Sequence, residues 1–310
     1  AGTGKTRTLI YRVARLVESG TDPSEILLLT FTRRAAKEML RRASQILDER
    51  CQRVEGGTFH HYCSKILHSH AEAIGYPENF TIIDAQDAME AVNLVRSRLD
   101  LPKTKSRFPK KSTLYFIFSS SVNRQISVRE LVEDEYPQFT VHIDLIEDIF
   151  NKYQEYKELN FVMDFDDLLI KTRDLLRDNS ELRNVIASRH RYVMVDEYQD
   201  TNALQAELTS LFSSAHGNVM AVGDDAQSIY SFRGADHKNM LSFPDIFEGT
   251  RLIKLEENYR STQRILDVAN RVLQEAEEKF EKNLYTKNEE GDLPGLVKAA
   301  NMNDQSRFVT

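Results

Sequence analysis

The chain opens on Ala1-Gly2-Thr3-Gly4-Lys5-Thr6, and Leu9, Ile10, Val13, Leu16 and Val17 follow at helical spacing on one face. The hexapeptide reads as the last six residues of the phosphate-binding pattern G-x-x-x-x-G-K-[ST]. No other feature constrains the fold as much. The pattern works only where a buried strand runs through a tight glycine turn into a helix, so that backbone amides and the helix N-terminus face an anion. Gly4 lets the backbone approach a polyphosphate, Lys5 brings a point charge to the β- and γ-phosphates, and the Thr6 hydroxyl suits an accompanying magnesium ion. Taken alone, the hexapeptide leaves open a plain glycine-rich turn before a helix. The pattern's first glycine would precede Ala1, so the sequence reads as a fragment.

A length of 310 residues suggests about two domains, and 41% hydrophobic with 29% charged content is ordinary for a globular chain. Two cysteines, Cys51 and Cys63, cannot build a disulfide framework. No apolar run approaches the roughly 18 residues of a membrane helix. A reducing cytoplasm and no membrane are therefore expected, with the proviso that residues upstream of Ala1 could carry a targeting segment. The net charge of −7 weighs weakly against a nucleic-acid partner, but the local distribution is uneven. Arg96, Arg98, Lys103, Lys105, Arg107, Lys110 and Lys111 form a basic run interrupted only by Asp100, whereas residues 130–148 carry seven acids and no Lys or Arg. The acidic run reads as a solvated surface; the basic run stays open.

Ile26-Leu27-Leu28-Leu29 suits a buried parallel strand, and Ala36, Met39, Leu40, Ala43, Ile46 and Leu47 mark one face of the helix after it. Tyr192-Val193-Met194-Val195 and Val219-Met220-Ala221-Val222 look like two more buried strands, with a helical stripe of Leu204, Leu208, Leu211 and Phe212 between them. This alternation predicts an α/β fold with a parallel sheet flanked by helices. From Tyr76-Pro77 to about Met163 the pattern is helical, without comparable strand runs, which predicts an inserted α-helical subdomain. Asp164 resembles a helix N-cap with Asp166 and Asp167 in the first turn. After Arg251 the alternation restarts with Leu252-Ile253-Lys254-Leu255 and a charged helix.

A second chemical signal lies at Tyr192-Val193-Met194-Val195-Asp196-Glu197-Tyr198-Gln199-Asp200-Thr201. A carboxylate at the end of a buried strand beside a phosphate loop, here Asp196, can hold magnesium through its waters. The next carboxylate, Glu197, can orient and deprotonate an attacking water. An acidic turn capping the following helix would explain a lone Asp-Glu pair, but not one that accompanies a phosphate loop. Cys51, His60, His61, Cys63, His68 and His70 fit no familiar zinc spacing, and structural or surface positions suit them better.

Six blocks in order resemble the motifs of UvrD/Rep/PcrA-type superfamily 1 DNA helicases. They are Ala1 to Thr6, Leu29 to Met39 (LTFTRRAAKEM), Gly57-Thr58-Phe59-His60, Asp196 to Thr201, Val222 to Ala235 (VGDDAQSIYSFRGA) and Glu257-Asn258-Tyr259-Arg260-Ser261. The resemblance spans nearly the whole chain. It implies a RecA-like P-loop NTPase domain from residues 1–76 and 160–250, a helical insertion over 77–159, and the incomplete start of a second RecA-like domain over 251–310.

By resemblance, ATP with magnesium is bound by Ala1, Gly2, Thr3, Gly4, Lys5, Thr6 and Arg7 together with Gln227, Tyr259 and Arg260, and Thr6 and Asp196 hold the metal. Gln227 senses the γ-phosphate, Tyr259 stacks on adenine, Arg260 reaches the γ-phosphate, and Glu197, Lys5, Gln227 and Arg260 are the catalytic set. Phe31, Tyr230 and Phe232 match base-stacking positions, Thr58 and His60 touch the backbone of single-stranded DNA, and Arg233 belongs to the same DNA-binding block. Phe232 stands where relatives often carry Trp. Burial in the core is the competing explanation for each Phe. The implied activity is ATP-driven 3′ to 5′ translocation on single-stranded DNA and unwinding at single-strand/duplex junctions, alongside repair or replication proteins. A helicase–nuclease of the AddA/RecB type is the alternative, and a binding protein without a motor is a third class against which intact Lys5, Glu197, Gln227 and Arg260 speak. With its phosphate loop cut and its second domain incomplete, the 310-residue chain is expected to bind and hydrolyse ATP poorly.

Overall fold

The computed structural model describes residues 2–99, 108–230, 234–236, 238–277 and 279–310. They divide into two compact units, Thr6–Arg251 and Ala1–Lys5 with Leu252–Thr310. Helix α1 (Lys5–Glu18) leads into strand β1 (Ile26–Thr30), helix α2 (Arg33–Ile46), strand β2 (Glu55–Thr58) and helix α3 (Phe59–Ser69). Next come β3 (Thr81–Ile82), four helices α4 (Ala85–Ser97), α5 (Lys111–Arg124), α6 (Val128–Glu135) and α7 (Ile143–Leu159), and β4 (Val162–Met163). Helices α8 (Phe165–Asp178) and α9 (Ser180–Arg189) precede β5 (Tyr192–Val195), α10 (Ala203–Ser213) and β6 (Val219–Ala221). Short helices α11 (Lys238–Leu241) and α12 (Phe243–Ile246) close the larger unit, and α13 (Gln263–Gln274) and α14 (Met302–Val309) lie in the smaller one.

The main sheet runs β2-β1-β5-β6, all parallel, as the alternation of strands and helices predicts. Side chains alternate across its plane. Leu27, Leu29, Val193 and Val195 pack with α3, α8 and α10, whereas Ile26, Leu28 and Met194 pack with α1 and α2. A sheet covered on both faces needs strands apolar on both sides, which is why β1 reads as an unbroken hydrophobic run. Each fully buried Leu or Val contributes about 1.5 to 3 kcal/mol.

Helices α4 to α7 enclose a separate core that includes Val92, Leu114, Ile117, Phe118, Leu131, Ile146 and Ile149. Among the described residues this stretch carries no strand run comparable to those of the main sheet. At its root β3 and β4 form a two-residue parallel pair, Thr81 with Val162 and Ile82 with Met163, too short for any periodicity to reveal. Asp164 caps α8 as expected and forms a full capping box with Asp167. Leu252 to Leu255 needs correction. The run forms no strand, and Leu252 and Ile253 are exposed; a strand exists only with a hydrogen-bonded neighbour, and among the described residues this run meets none.

The charged runs resolve into local pairing. Arg129 holds Asp144 and Glu147, each at 2.7 Å, Arg124 pairs with Glu135, and Lys152 with Asp148 at 2.5 Å. Of the basic run, Lys103, Lys105 and Arg107 lie outside the described residues, while Arg96 donates to the Pro109 carbonyl and Lys111 pairs with Glu90. Among the described residues no helix is long and apolar enough to cross a membrane.

Candidate nucleotide and nucleic-acid site

The carboxyl ends of β1, β5 and β6 are level, with Leu29 beside Val195 and Val195 beside Ala221. Hydrogen bonds from Asp196 N to Leu29 O (2.9 Å) and from Tyr198 N to Val222 O (2.9 Å) continue the pairing just past the strands. Asp196 is thereby buried at the carboxyl end of the inner strand β5. Glu197 takes a left-handed backbone conformation, φ 52° and ψ 46°, which turns the chain sharply out of β5. A non-glycine residue there is strained, and such strain persists only where the surroundings fix it.

Gln199 is what does so. Its buried amide donates from Nε2 to Glu197 Oε2 at 3.0 Å, and its Oε1 accepts from the Asp224 backbone N–H at 2.9 Å. The Asp224 carboxylate in turn accepts from Gln227 Nε2. One relay therefore connects Glu197 through Gln199 and Asp224 to Gln227. A Cβ on Gly223 would come within 2.6 Å of Gln199 Oε1 and 2.7 Å of Met240 Sδ, so any larger residue there would push the Gln199 amide or the Met240 side chain out of place. Asp200 completes the acidic cluster, its carboxyl pushed up to about 6 by burial and the nearby Glu197 charge.

Among the residues that could hold magnesium, Thr6 lies in the first turn of α1 and Asp196 after β5. One hydroxyl and one carboxylate leave most positions of an octahedral ion to water and phosphate, which suits magnesium with a nucleotide. Among the described residues no group of three or more His, Cys, Asp or Glu could hold a metal, and Cys51 and Cys63 are buried in different cores. Arg7 lies against the Tyr11 ring, 5.4 Å from its centroid.

Phe31 follows β1 and stays 39% exposed, so it is not core. The Thr58 hydroxyl caps α3 by accepting from His61 N at 3.2 Å, leaving its own hydrogen to donate elsewhere. Burial lowers the His60 imidazole to about 4, so the ring is neutral near pH 7. Its ring meets Phe165 edge to face, at 6.0 Å between centroids, and Phe165 remains 44% exposed. Tyr230 is half-buried, and its carbonyl accepts from Ala235 N at 3.3 Å. Phe232 and Arg233 lie outside the described residues, as does Ala1.

In the smaller unit, Gly2 and Gly4 adopt positive φ (89° and 82°). Tyr259 N donates to Gly2 O at 2.9 Å, and a Cβ on Gly2 would meet Arg260 Cβ at 2.7 Å. Asn258, buried, holds this corner by accepting from Arg260 N and Ser261 N at 2.9 and 2.8 Å. Gly2, Tyr259 and Arg260 thus stand together.

Gln199 and Phe165 are the residues the sequence left without a role. A glutamine within the acidic segment Asp196 to Asp200 was the available signal for Gln199, since an amide can offer a carboxylate a donor and a backbone N–H an acceptor at once. Phe165 beside the acidic α8 N-cap carried no signal short of its exposure.

Residues 1–248 match the family model of the UvrD/REP helicase N-terminal domain, and residues 253–310 match that of the UvrD-like helicase C-terminal domain. The chain is similar along all 310 residues to the ATP-dependent DNA helicase PcrA of Staphylococcus epidermidis (36% identical) and of Staphylococcus aureus (34%). It covers 42% of each of those proteins.

Proposed function

The chain belongs to the UvrD/REP helicase family, and from that premise we propose that the intact protein couples ATP hydrolysis to 3′ to 5′ movement along single-stranded DNA and to duplex unwinding. The relay from Glu197 through Gln199 and Asp224 to Gln227 carries this proposal, because it ties the carboxylate suited to activating water to the loop that bears Tyr230. In this scheme Glu197 takes the proton of the attacking water and Lys5 and Arg260 stabilise negative charge spreading over the transferring phosphoryl group. Gln227 reports the γ-phosphate, Tyr259 stacks on adenine, Gly2 to Thr6 cradle the phosphates, and Arg7 lies near the base. Magnesium, held by Thr6 and Asp196, would neutralise charge on the phosphates. Residues 1–76 and 160–250 then make the first RecA-like domain, 77–159 its insertion, and 251–310 part of the second. Two lone, buried cysteines suit a cytoplasmic setting.

On the DNA side, Phe31, Tyr230 and Phe232 stack on bases, with Phe165 as a further aromatic face beside His60. Thr58 and Arg233 bind the backbone, with neutral His60 as a hydrogen-bonding rather than a charged partner. Similarity to PcrA along the whole chain favours this reading over the helicase–nuclease one.

The test is ATP turnover by the intact protein with and without oligo-dT, together with Phe31→Ala, Tyr230→Ala and Phe165→Ala. Turnover should rise with DNA, and each substitution should weaken single-strand binding by about 1 to 3 kcal/mol, equally on dT and mixed sequence. A core Phe would instead cost about 3 to 5 kcal/mol of stability. Unchanged DNA affinity in all three variants would remove the stacking model.

A further inference from the structure

Asn123 lies in the last turn of α5, buried, and its amide is fully used. Nδ2 donates to Asp166 Oδ1 at 2.7 Å, in the first turn of α8, and to the Ser119 carbonyl at 2.9 Å. Oδ1 accepts from Asn202 Nδ2 at 2.6 Å. Asn202 is fixed in turn: it caps α10, accepting from Gln205 N at 2.8 Å, and follows Thr201 directly. The Thr201 carbonyl accepts from Asp236 N at 3.1 Å and from Asn239 Nδ2 at 2.8 Å, which ties the far end of the loop after β6 to the same corner. Gly234 in that loop has φ 81°, and a Cβ there would stand 3.2 Å from Asn123 Cβ.

One side chain therefore hydrogen-bonds both the start of α8 and Asn202, in the segment after β5 that carries Asp196 and Glu197, and it leaves no room for a side chain at Gly234 in the loop after β6, which is itself tied to the Thr201 carbonyl next to Asn202. We propose that Asn123 is a positioning residue that couples the carboxylate segment after β5 to the nucleic-acid-facing loop after β6 and keeps the helical insertion in register with both. An amide suits the position because its Nδ2 carries two donors, used on Asp166 and the Ser119 carbonyl, while its oxygen accepts from Asn202. An apolar residue would leave the buried Asn202 amide without this acceptor and Asp166 with the Ser119 side chain but without its Asn123 donor, and a carboxylate would confront Asp166, whose own carboxyl burial and the Asp164 charge already push up to about 6. The other buried residues of α5, Leu114, Ile117, Phe118 and Ser121, hold the helix in the insertion without Asn123.

This role rests on the proposed DNA-stimulated ATPase, so the wild-type intact protein is the first arm of the test. In Asn123→Ala, basal kcat and the KM for ATP should stay within about twofold of wild type, whereas stimulation by saturating oligo-dT should fall by about tenfold or more, in the range of coupling between sites. Asn123→Asp combined with Asp166→Asn exchanges donor and acceptor across the same hydrogen bond and still offers Asn202 an acceptor, giving up only the bond to the Ser119 carbonyl; it should restore most of the stimulation, and Asn123→Asp alone should not. Undiminished stimulation in Asn123→Ala, or parallel loss of basal and stimulated turnover, overturns the coupling role. If Asn123→Ala does not fold, the exchanged pair decides: restored stimulation supports the role, and a folded pair without stimulation overturns it. A wild type that DNA does not stimulate overturns the proposed function and the coupling with it, which separates that failure from a failure of Asn123 alone.

Discussion

At the scale of single residues, the chemistry concentrates on Glu197 and its neighbours. Glu197→Gln keeps the shape and the hydrogen bond from Gln199 but cannot accept a proton. In the intact protein, ATP binding should survive while turnover drops by about 10² to 10⁴; a drop of less than about tenfold, read from steady-state ATPase rates, would remove Glu197 as the general base. Asp200 makes a different test. Its carboxyl is raised from 3.8 to about 6 by burial and by the Glu197 charge. A carboxyl raised on folding favours the folded state while protonated, and that advantage is lost as pH rises from the unfolded value toward about 6 and beyond. Asp200→Asn escapes that loss. Urea midpoints of the variant relative to wild type should therefore be higher at pH 8 than at pH 4.5, and a pH-independent difference would mean that Asp200 ionises normally.

At the scale of elements, the junction of α7 and α8 carries a buried ion cluster. Lys157 lies 2.8 Å from Asp164 and 2.7 Å from Asp167, both carboxylates are buried, and the Tyr153 hydroxyl donates to Asp164 at 2.8 Å. Burial opposes charge on Asp164, but the Lys157 ammonium and the hydrogen bonds it receives outweigh that and hold its carboxyl below the usual value. Lys157→Met should cost about 3 to 5 kcal/mol in urea unfolding at pH 8, because two carboxylates remain buried without their cation. Adding Asp167→Asn should recover part of the loss. A cost below about 1 kcal/mol would place the pair among weak, solvent-screened bridges.

At the scale of the whole molecule, the two units differ in how much they bury. The larger contains the sheet and three apolar clusters, whereas Leu266 and Leu284 are the buried hydrophobic residues among those described in 252–310. Opening of the smaller unit exposes little apolar surface, so its local stability is low. Amides of α13 in the 310-residue chain should exchange with deuterium much faster than those of β1 and β5. Equal protection would show that the two units unfold as one.

The α/β class, the strands β1, β5 and β6, the helices after β1 and β5 and the cap at Asp164 were legible in the sequence, because each is encoded by local periodicity or by a capping residue within a few positions. So were the motif blocks, since a phosphate loop and a carboxylate at a strand end are contiguous patterns. Tertiary structure alone decided the rest. Gln199 reaches Asp224 across 25 positions and Asn123 reaches Asn202 across 79. Contacts of that span depend on the register of parallel strands and on where α5 and α8 cross, which no local pattern specifies. The edge-to-face meeting of His60 with Phe165 has the same origin, and the left-handed turn at Glu197 depends on Gln199 being anchored to Asp224. Leu252 to Leu255 shows the converse: a run apolar enough for a strand forms one only where a partner strand offers it hydrogen bonds.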